Sequence, residues 1–513
     1  MRLFRTIEGL SCYLQTITPG FSVGFVPTMG ALHDGHLSLI RRARQDNDVV
    51  VVSIFVNPLQ FGPGEDLHRY PENFTQDQEL CDQNGVDALF APSVAELGLG
   101  DQPLTGVVPP ESMVQVLCGP GRPGHFQGVA TIVTKLLNIV RPDYLYLGQK
   151  DAQQLAIIRR LVRDLNFPVT IVPCPIVREA SGLAMSSRNQ YLSPTERQTA
   201  SGIYHALQKA VHQFRSGERN SSTLIQITKA ALLALPGFST EYVEITHPDT
   251  LVPLEKIEDI ALLAVAGQLG TTRLIDNVLL RDRLPIIAID GPAGVGKSTV
   301  TRQVARSLGL TYLDTGAMYR AITWLVLHRN IPATDAPAIA ELVSQAEIEL
   351  NPGSDQLQVK IDGQDLTQEI RTPEVSALVS TIAAQPAVRR QLVARQQHLG
   401  RRGAVVAEGR DIANRVFPDA ELKIFLTASL QERAQRRLQD LAQQGKSDLD
   451  LPSLVQSLAE RDHQDQSRSF SPFVKVADAI EINTDHLSID AVVSKIIDLY
   501  KSYCSPQNQP LVG

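Results

Sequence analysis

Residues 291–298 read Gly-Pro-Ala-Gly-Val-Gly-Lys-Ser and follow the apolar run Ile286–Asp290. A G-x-x-x-x-G-K-[ST] loop between a strand and a helix turns successive backbone N–H groups toward phosphate oxygens. Lys297 reaches the β- and γ-phosphates of a nucleotide, and Ser298 is placed to hold Mg²⁺. The expected ATP contacts are Gly291, Pro292, Ala293, Gly294, Val295, Gly296, Lys297, Ser298 and Thr299. A chance glycine-rich turn is the minor alternative in this context. The loop alone does not separate a kinase from a GTPase or a motor ATPase, but the chain lacks an Asn-Lys-x-Asp guanine signature. Further along stand Asp314-Thr-Gly-Ala-Met-Tyr-Arg320, Glu408-Gly-Arg-Asp411, the trio Arg433, Arg436 and Arg437 as in a mobile lid, and Arg461 and Arg468. Arginines that converge on two phosphates are what phosphoryl transfer requires. Taken singly, each is more often a surface solubiliser.

A second constellation precedes the first. Val26-Pro-Thr-Met-Gly-Ala-Leu-His33-Asp-Gly-His36 follows a strand-like run and opens a helix. Free N–H groups and the dipole make a helix start receptive to phosphate. His33 and His36, three apart, share a side and can donate to phosphate oxygens. Gly35 would let a nucleotide lie close to the backbone. An isolated H-x-x-H is weak evidence, since histidines cap helices by chance. Met185-Ser-Ser-Arg188 adds two hydroxyls and a guanidinium, a good clamp on a polyphosphate, although alone it would read as a polar loop.

Elements that could hold these groups alternate along the chain as in α/β proteins with parallel sheets. In the first half, Phe21–Pro27, Val49–Val56, Leu145–Leu147 and Val169–Val172 read as strands, and His36–Gln45 as a helix. From Glu196 to about Leu235 the pattern is helical. Tyr242–Thr246, Ala261–Ala266 and Thr272–Ile275 then suggest a small separate lobe. The second half restarts with Ile286–Asp290, Ala404–Ala407, Leu422–Leu426 and Ala479–Ile482. Leu357–Ile361 before Asp362-Gly363 reads as an inserted hairpin. The junction is short, about Asn277–Leu284. The fold expected is two doubly wound parallel-sheet modules: a nucleotidyltransferase-like Rossmann domain with a small lobe over 1–276, then a P-loop nucleoside monophosphate kinase over 277–513.

The chain has 513 residues, 43% hydrophobic and 20% charged, enough for two cores. Its net charge of −7 argues against nucleic-acid and membrane partners. Five scattered cysteines without a C-x-x-C pair fit reduced cytosolic thiols. With no secretory signal and no membrane-length apolar run, the cytoplasm is the expected location.

Residues 1 to about 276 resemble pantothenate synthetase (pantoate–β-alanine ligase), of the nucleotidyltransferase superfamily. Five stretches carry the likeness: Pro27–His36, Phe55–Phe61, Arg122–Phe126, Gly148–Gln154 and Met185–Asn189. The resemblance implies ATP contacts at Met29, Gly30, Ala31, Leu32, His33, Asp34, Gly35 and His36, with His36 as proton donor. Gly148, Gln149, Lys150, Asp151, Val177, Met185, Ser186, Ser187 and Arg188 would complete that site, Lys150 and Arg188 neutralising the α-phosphate. Gln60 and Gln154 would bind pantoate and β-alanine. Glutamate is common in the family where this chain has Gln149, so Gln149 is expected to contribute only its backbone.

From about Leu284 onward the chain resembles bacterial cytidylate kinase. The residues concerned are Ile289–Ser298, Asp314–Arg320, Ile370–Thr372, Glu408–Asp411, Phe417–Asp419, Lys423–Leu426 and Glu460–Asp462. The resemblance implies that Thr315, Arg320, Arg395, Arg410, Asp411, Arg461 and Arg468 surround CMP, with Asp411 on the sugar. Ala413-Asn-Arg415 departs from the family's usual small-residue stretch.

The expected protein is a fused enzyme using ATP in both halves, with Mg²⁺ as cofactor and small molecules as partners, and pairing as a homodimer through the N-terminal half. The rival readings are a different nucleotidyltransferase fused to another small P-loop kinase, and a nucleotide-gated binding protein with one inactive half.

Overall fold

The computed structural model describes residues 1–504 except 63–64, 66, 72, 100–103, 352–357, 444–449, 467–472 and 477. The chain divides into two compact units, Met1–Asp282 and Arg283 onward.

Unit 1 is built on a six-stranded parallel sheet of β1 (Arg2–Phe4), β2 (Val23–Thr28), β3 (Val49–Ile54), β4 (Ala88–Phe90), β5 (Tyr144–Gly148) and β6 (Thr170–Cys174). Its order is β1-β4-β3-β2-β5-β6. The run Val49-Val-Val-Val52 is continuous because both faces of β3 are covered, as a parallel sheet demands. From β2 the chain winds outward through β3 and β4, and β5 then starts the other side. The order therefore reverses between β2 and β5, and ligands bind beyond the carboxyl ends of strands at such a reversal. Both sequence segments with histidine or lysine chemistry leave the sheet there.

Helices Pro194–Arg215 and Ser221–Leu233 and the antiparallel β7 (Phe238–Thr246), β8 (Ile260–Leu269) and β9 (Thr272–Arg281) form the small lobe. The helical stretch expected over 196–235 is two helices, because Asn220 caps the second through Ser222 N–H and Thr223 N–H. The division lies within the expected junction Asn277–Leu284, but the first part of that stretch is strand. β9 stays paired with β8 as far as Arg281 opposite Ile260, so Asn277–Arg281 is strand and the division falls after Asp282.

Unit 2 has a parallel sheet of order β11-β15-β10-β16-β17, from β10 (Ile286–Asp290), β11 (Thr311–Asp314), β15 (Val405–Gly409), β16 (Leu422–Thr427) and β17 (Ile480–Asn483). The phosphate-loop sequence leaves the central strand, β10. A small antiparallel sheet of β12 (Ile348–Asn351), β13 (Gln358–Ile361) and β14 (Gln364–Asp365) is inserted after β11. Asp362 (φ 50°) and Gly363 (φ 81°) both take positive φ in the tight β13–β14 turn, as a two-residue hairpin prefers. Leu357, expected to start this strand, lies outside the described residues.

Candidate active sites

In unit 1, β2 ends at Thr28 and the chain turns through Met29–Leu32 into helix Asp34–Asp46. Gly30 (φ 86°) and Ala31 (φ 49°) are both in the left-handed region, unusual for alanine. Buried Asp77 holds this turn: its carboxylate accepts Ala31 N–H and Leu32 N–H, each at 2.8 Å. Burial raises the Asp77 pKa and those two donors oppose the rise. Ser187 Oγ donates to Ala31 O at 3.2 Å, so the Met185–Arg188 segment is tied to the same turn.

His33 is the N-cap: its Nδ1 accepts Gly35 N–H at 3.1 Å, which leaves the proton on Nε2. The His33 and His36 rings lie against each other with centroids 4.1 Å apart. A Cβ on Gly35 would lie 2.8 Å from the His33 ring, so glycine here admits the imidazole, not primarily a nucleotide. Nδ1 of His36 is buried without a hydrogen-bond partner among the described residues. Burial, with Lys150 nearby, lowers the His33 pKa to about 4; burial, His33 and Lys150 lower that of His36 to about 3.

After β5, Gly148–Asp151 make a tight turn whose carbonyls at Gln149 and Lys150 accept Asn277 Nδ2, at 3.0 and 2.9 Å. Burial pulls the Lys150 ammonium below its ordinary pKa, and Asp151 and Asp276 oppose the fall. Gln60 is buried; its Oε1 accepts Asn57 Nδ2 at 3.1 Å and its Nε2 lies 3.0 Å from Met29 Sδ. Arg122 is bound by Glu65 at 2.8 and 2.5 Å and by His125 Nε2 at 3.0 Å, and His125 Nδ1 donates to Gln60 O at 2.7 Å. Val177 O accepts Met185 N–H at 2.9 Å, placing the serine–arginine segment.

One cleft of about 240 Å³ joins Met29, His33, Gly35, His36, Gln60, Gly148, Lys150, Asp151, Gln154, Val177 and Met185–Arg188. Gly30, Ala31, Leu32, Asp34 and Gln149 are set back from it. Ala31 and Leu32 were expected at the nucleotide, but their N–H groups are spent on Asp77. The backbone carbonyl of Gln149 accepts Asn277 Nδ2 and so helps to hold the Lys150 turn. Neutral imidazole donors, an ammonium, a guanidinium and two hydroxyls on one wall suit a polyphosphate, and the amides suit a small hydroxy acid.

In unit 2, Lys297 opens helix Lys297–Leu308, and its Nζ donates to Gly291 O and Pro292 O at 2.6 and 2.7 Å. Burial and Arg410 lower its pKa; Glu408 and Asp290 oppose them. Ser298 Oγ donates to Glu408 Oε2 at 2.9 Å, and Tyr312 OH donates to the other oxygen of that carboxylate. Asp290 is pushed up to about 6 by burial while it accepts Ile412 N–H and Ala413 N–H at 2.9 and 2.8 Å. Those bonds fix the strand end that carries Arg410 and Asp411.

Thr315 Oγ1 donates to Glu408 O at 2.7 Å, Arg320 pairs with Asp314 at 2.9 Å, and Arg395 donates to Val343 O at 3.1 Å. Arg410 lies over the Phe473 ring, 5.9 Å from its centroid, and Arg461 is exposed. Asp411 is buried and ion-paired with buried Arg389. Arg468 lies outside the described residues. The lid reading of the arginine trio is revised for two members. Arg433 binds Ala293 O at 3.0 Å and Asp462 at 2.6 Å, and Arg436 binds Thr484 Oγ1 and O at 3.0 and 2.7 Å. Arg433 ties the phosphate loop to helix Leu451–Gln466, and Arg436 ties Val295 O of that loop to Thr484 just after β17; Arg437 alone of the three is exposed.

Family models agree with this division. Residues 2–279 match pantoate-beta-alanine ligase and residues 287–502 match cytidylate kinase. A bifunctional pantoate ligase/cytidylate kinase from Trichormus variabilis is 55% identical over 98% of this chain and 100% of its own. The protein of that description from Synechocystis is 57% identical over 98% of this chain and 99% of its own. This chain belongs to the bifunctional pantoate ligase/cytidylate kinase family. It is an enzyme with two activities, a ligase and a phosphotransferase, both ATP-utilising. Pantothenate synthetase from Thermus thermophilus superposes on the ligase half with TM-score 0.52 and 47% identity, covering 54% of this chain and 99% of that one. No helix of the described residues is long and apolar enough to cross a membrane.

This chain carries supports that its motifs did not announce. Asp77, Asn277, Glu408's partner Tyr312 and Arg389 all act from other segments. The nearest signal was Glu408-Gly-Arg-Asp411 itself, which marked Glu408 without a role.

The imidazoles make the ligase half acid-sensitive. His33 and His125 are lowered to about 4 and His36 to about 3, so between about pH 6.5 and 4 the unfolded chain binds protons that the fold does not. Stability then rises with pH across that window and is lost as pH falls, each tenfold difference in proton affinity between the two states contributing about 1.4 kcal/mol. Asp290, raised to about 6, has the opposite sign in the kinase half. After a fixed heat step, residual ligase activity should fall more between pH 7.5 and 5 than residual kinase activity, with both assayed at pH 7.5. Equal losses would contradict the burial of these imidazoles.

Proposed function

We propose that unit 1 condenses pantoate with β-alanine in two steps. The pantoate carboxylate attacks the α-phosphorus of ATP and pyrophosphate leaves; the β-alanine amine then attacks the acyl carbon of pantoyl adenylate and AMP leaves. The observation that carries this reading is the single cleft shared by the phosphate-binding set and the amides Gln60 and Gln154. His33, His36, Ser186, Ser187 and Arg188 would hold the phosphates, and Lys150 would meet charge growing at the α-phosphorus. Catalysis is then mostly positioning and charge neutralisation.

Unit 2 transfers the γ-phosphoryl group of ATP to a phosphate oxygen of CMP or dCMP, and ADP leaves. Lys297 would leave the loop carbonyls for the phosphates. Thr315, Arg320, Arg395, Arg410, Asp411, Arg461 and Arg468 would surround the acceptor, with Asp411 acting from its pairing with Arg389. The hydroxyl of Ser298 backed by the carboxylate of Glu408 suits Mg²⁺, which binds through few protein oxygens plus phosphates. When bound, Mg²⁺ neutralises charge on the β- and γ-phosphates. A cytoplasmic location and a homodimer through unit 1 belong to the same reading, and sedimentation of the intact chain tests the second.

The deciding assay gives the purified chain ATP with pantoate and β-alanine, then ATP with CMP. AMP and pyrophosphate should form only in the first mixture, and CDP with ADP only in the second. Pyrophosphate release without pantoate, or ADP release with AMP or shikimate but not CMP, would favour the rival assignments.

A further inference from the structure

Besides the groups assigned above to the phosphates and to pantoate, the cleft is lined by a further cationic side chain, Arg273. On β9, Asn277, Ile275 and Arg273 lie on one side of the strand, since side chains two apart share a face. Asn277 Nδ2 pins the far end of this row to the carbonyls of Gln149 and Lys150. Ile275 and Arg273 line the cleft. At about 3.3 Å per residue, Arg273 stands about 7 Å beyond Ile275 and about 13 Å beyond Asn277. The row runs from the lysine turn to a guanidinium.

The cleft offers two candidate guanidiniums for a further anion besides Arg188, and their hydrogen bonds distinguish them. Every nitrogen of Arg122 is committed, to Glu65, His125 and Gln60 O. Arg273 binds Glu241 through Nε and Nη2, and Nη2 also reaches Cys118 Sγ at 3.5 Å. Its Nη1 has no hydrogen-bond partner among the described residues. Tyr242 OH, another donor lining the cleft, lies 3.2 Å from the same sulfur. Cys118, Ala264 and Ile275 line the cleft beside these donors, small or apolar surface of the kind that methylenes cover.

We propose that the Nη1 edge of Arg273, with Tyr242 OH, receives the carboxylate of the amine substrate. This rests on the ligase reading above. β-Alanine carries its carboxylate two methylenes from the amine, so an amine directed at an acyl carbon near Lys150 leaves the carboxylate pointing along β9. Arg273 thereby sets the chemical class of the amine substrate: an ω-amino acid and not a simple amine.

The test uses the full chain carrying Arg273→Met or Arg273→Lys. A hydrogen bond to a charged group is worth about 1.5–3 kcal/mol, so KM for β-alanine should rise about 10–100-fold in Arg273→Met, with a smaller change in kcat. Arg273→Lys should recover part of the loss. Propylamine, which lacks the carboxylate, should be a far poorer acceptor than β-alanine for the unmodified chain, and this preference should collapse in Arg273→Met. Pantoate-dependent exchange of pyrophosphate into ATP needs no amine and reports the first step and the fold together. A KM unchanged within threefold, or exchange lost as severely as the overall reaction, overturns the assignment. Absence of exchange in the unmodified chain sinks the ligase reading instead.

Discussion

Lys297→Ala should remove CMP-dependent ADP formation, by on the order of 10³-fold, while pantoate-dependent pyrophosphate release continues. Lys297 is the one ammonium in the phosphate loop, and the loop's remaining donors are backbone N–H groups and hydroxyls, which carry no net charge. Its buried position against Gly291 O and Pro292 O shows that the side chain already lies along the loop where phosphates are expected. Arg433 and Arg436 cannot replace it, because they are bound to Ala293 O, Asp462 and Thr484. Lys297→Arg should not rescue the activity: a planar fork on a longer stem does not fit a pocket shaped for a point charge. Coupled assays of both reactions on one preparation provide the measurement. A parallel loss of ligase activity, with circular dichroism unchanged, would mean that the two units share a step and that the division after Asp282 is not a functional one.

The candidate site residues that the sequence marks out share a physical property: their chemistry is local. The phosphate loop, His33–His36 and Met185–Arg188 each combine a strand end or turn with the side chains that use it, so contiguous residues suffice to recognise them. The central strands were legible for a similar reason. Val49–Ile54 is apolar without alternation because both its faces are covered. By contrast β1 and β4 have three residues each, too few to show a period, and their pairing partners are far apart in the chain. Asp77 was invisible because its role depends on helix Phe74–Gln83 packing beneath a turn more than forty residues earlier. Asn277 reads as linker because a polar residue after Asp276 looks like the end of a strand. Its amide is in fact spent on the Lys150 turn. The same holds for Arg433, whose charge suggested a solvated lid and whose actual partners, a carbonyl and a carboxylate, come from two other segments. Long-range partners of buried polar groups are set by topology, and topology emerges only once the sheet order is known.

His36→Ala should lower pantoate-dependent adenylate formation about 10²–10³-fold and leave CMP phosphorylation near normal. The side chain stands at the start of helix Asp34–Asp46, lines the cleft, and has a buried Nδ1 with no hydrogen-bond partner among the described residues. Its pKa, lowered to about 3 by burial and by His33 and Lys150, keeps the imidazole uncharged at neutral pH. An uncharged ring contributes a hydrogen bond to the departing pyrophosphate, not a full positive charge, and this separates two accounts of the residue. If His36 acts as a neutral donor, His36→Gln or His36→Asn, which keep an N–H, should retain part of the rate that alanine loses. The kcat of the unmodified chain should then show no fall near pH 6.5 on the alkaline side assignable to this residue. If it acts as an imidazolium, bound phosphates must raise its pKa, both amides should be as slow as alanine, and kcat should decline as pH rises through neutrality. Single-turnover pyrophosphate release measured from pH 6 to 9 in the four proteins decides between them. Adenylate formation within a few-fold of normal in His36→Ala would remove His36 from the site altogether.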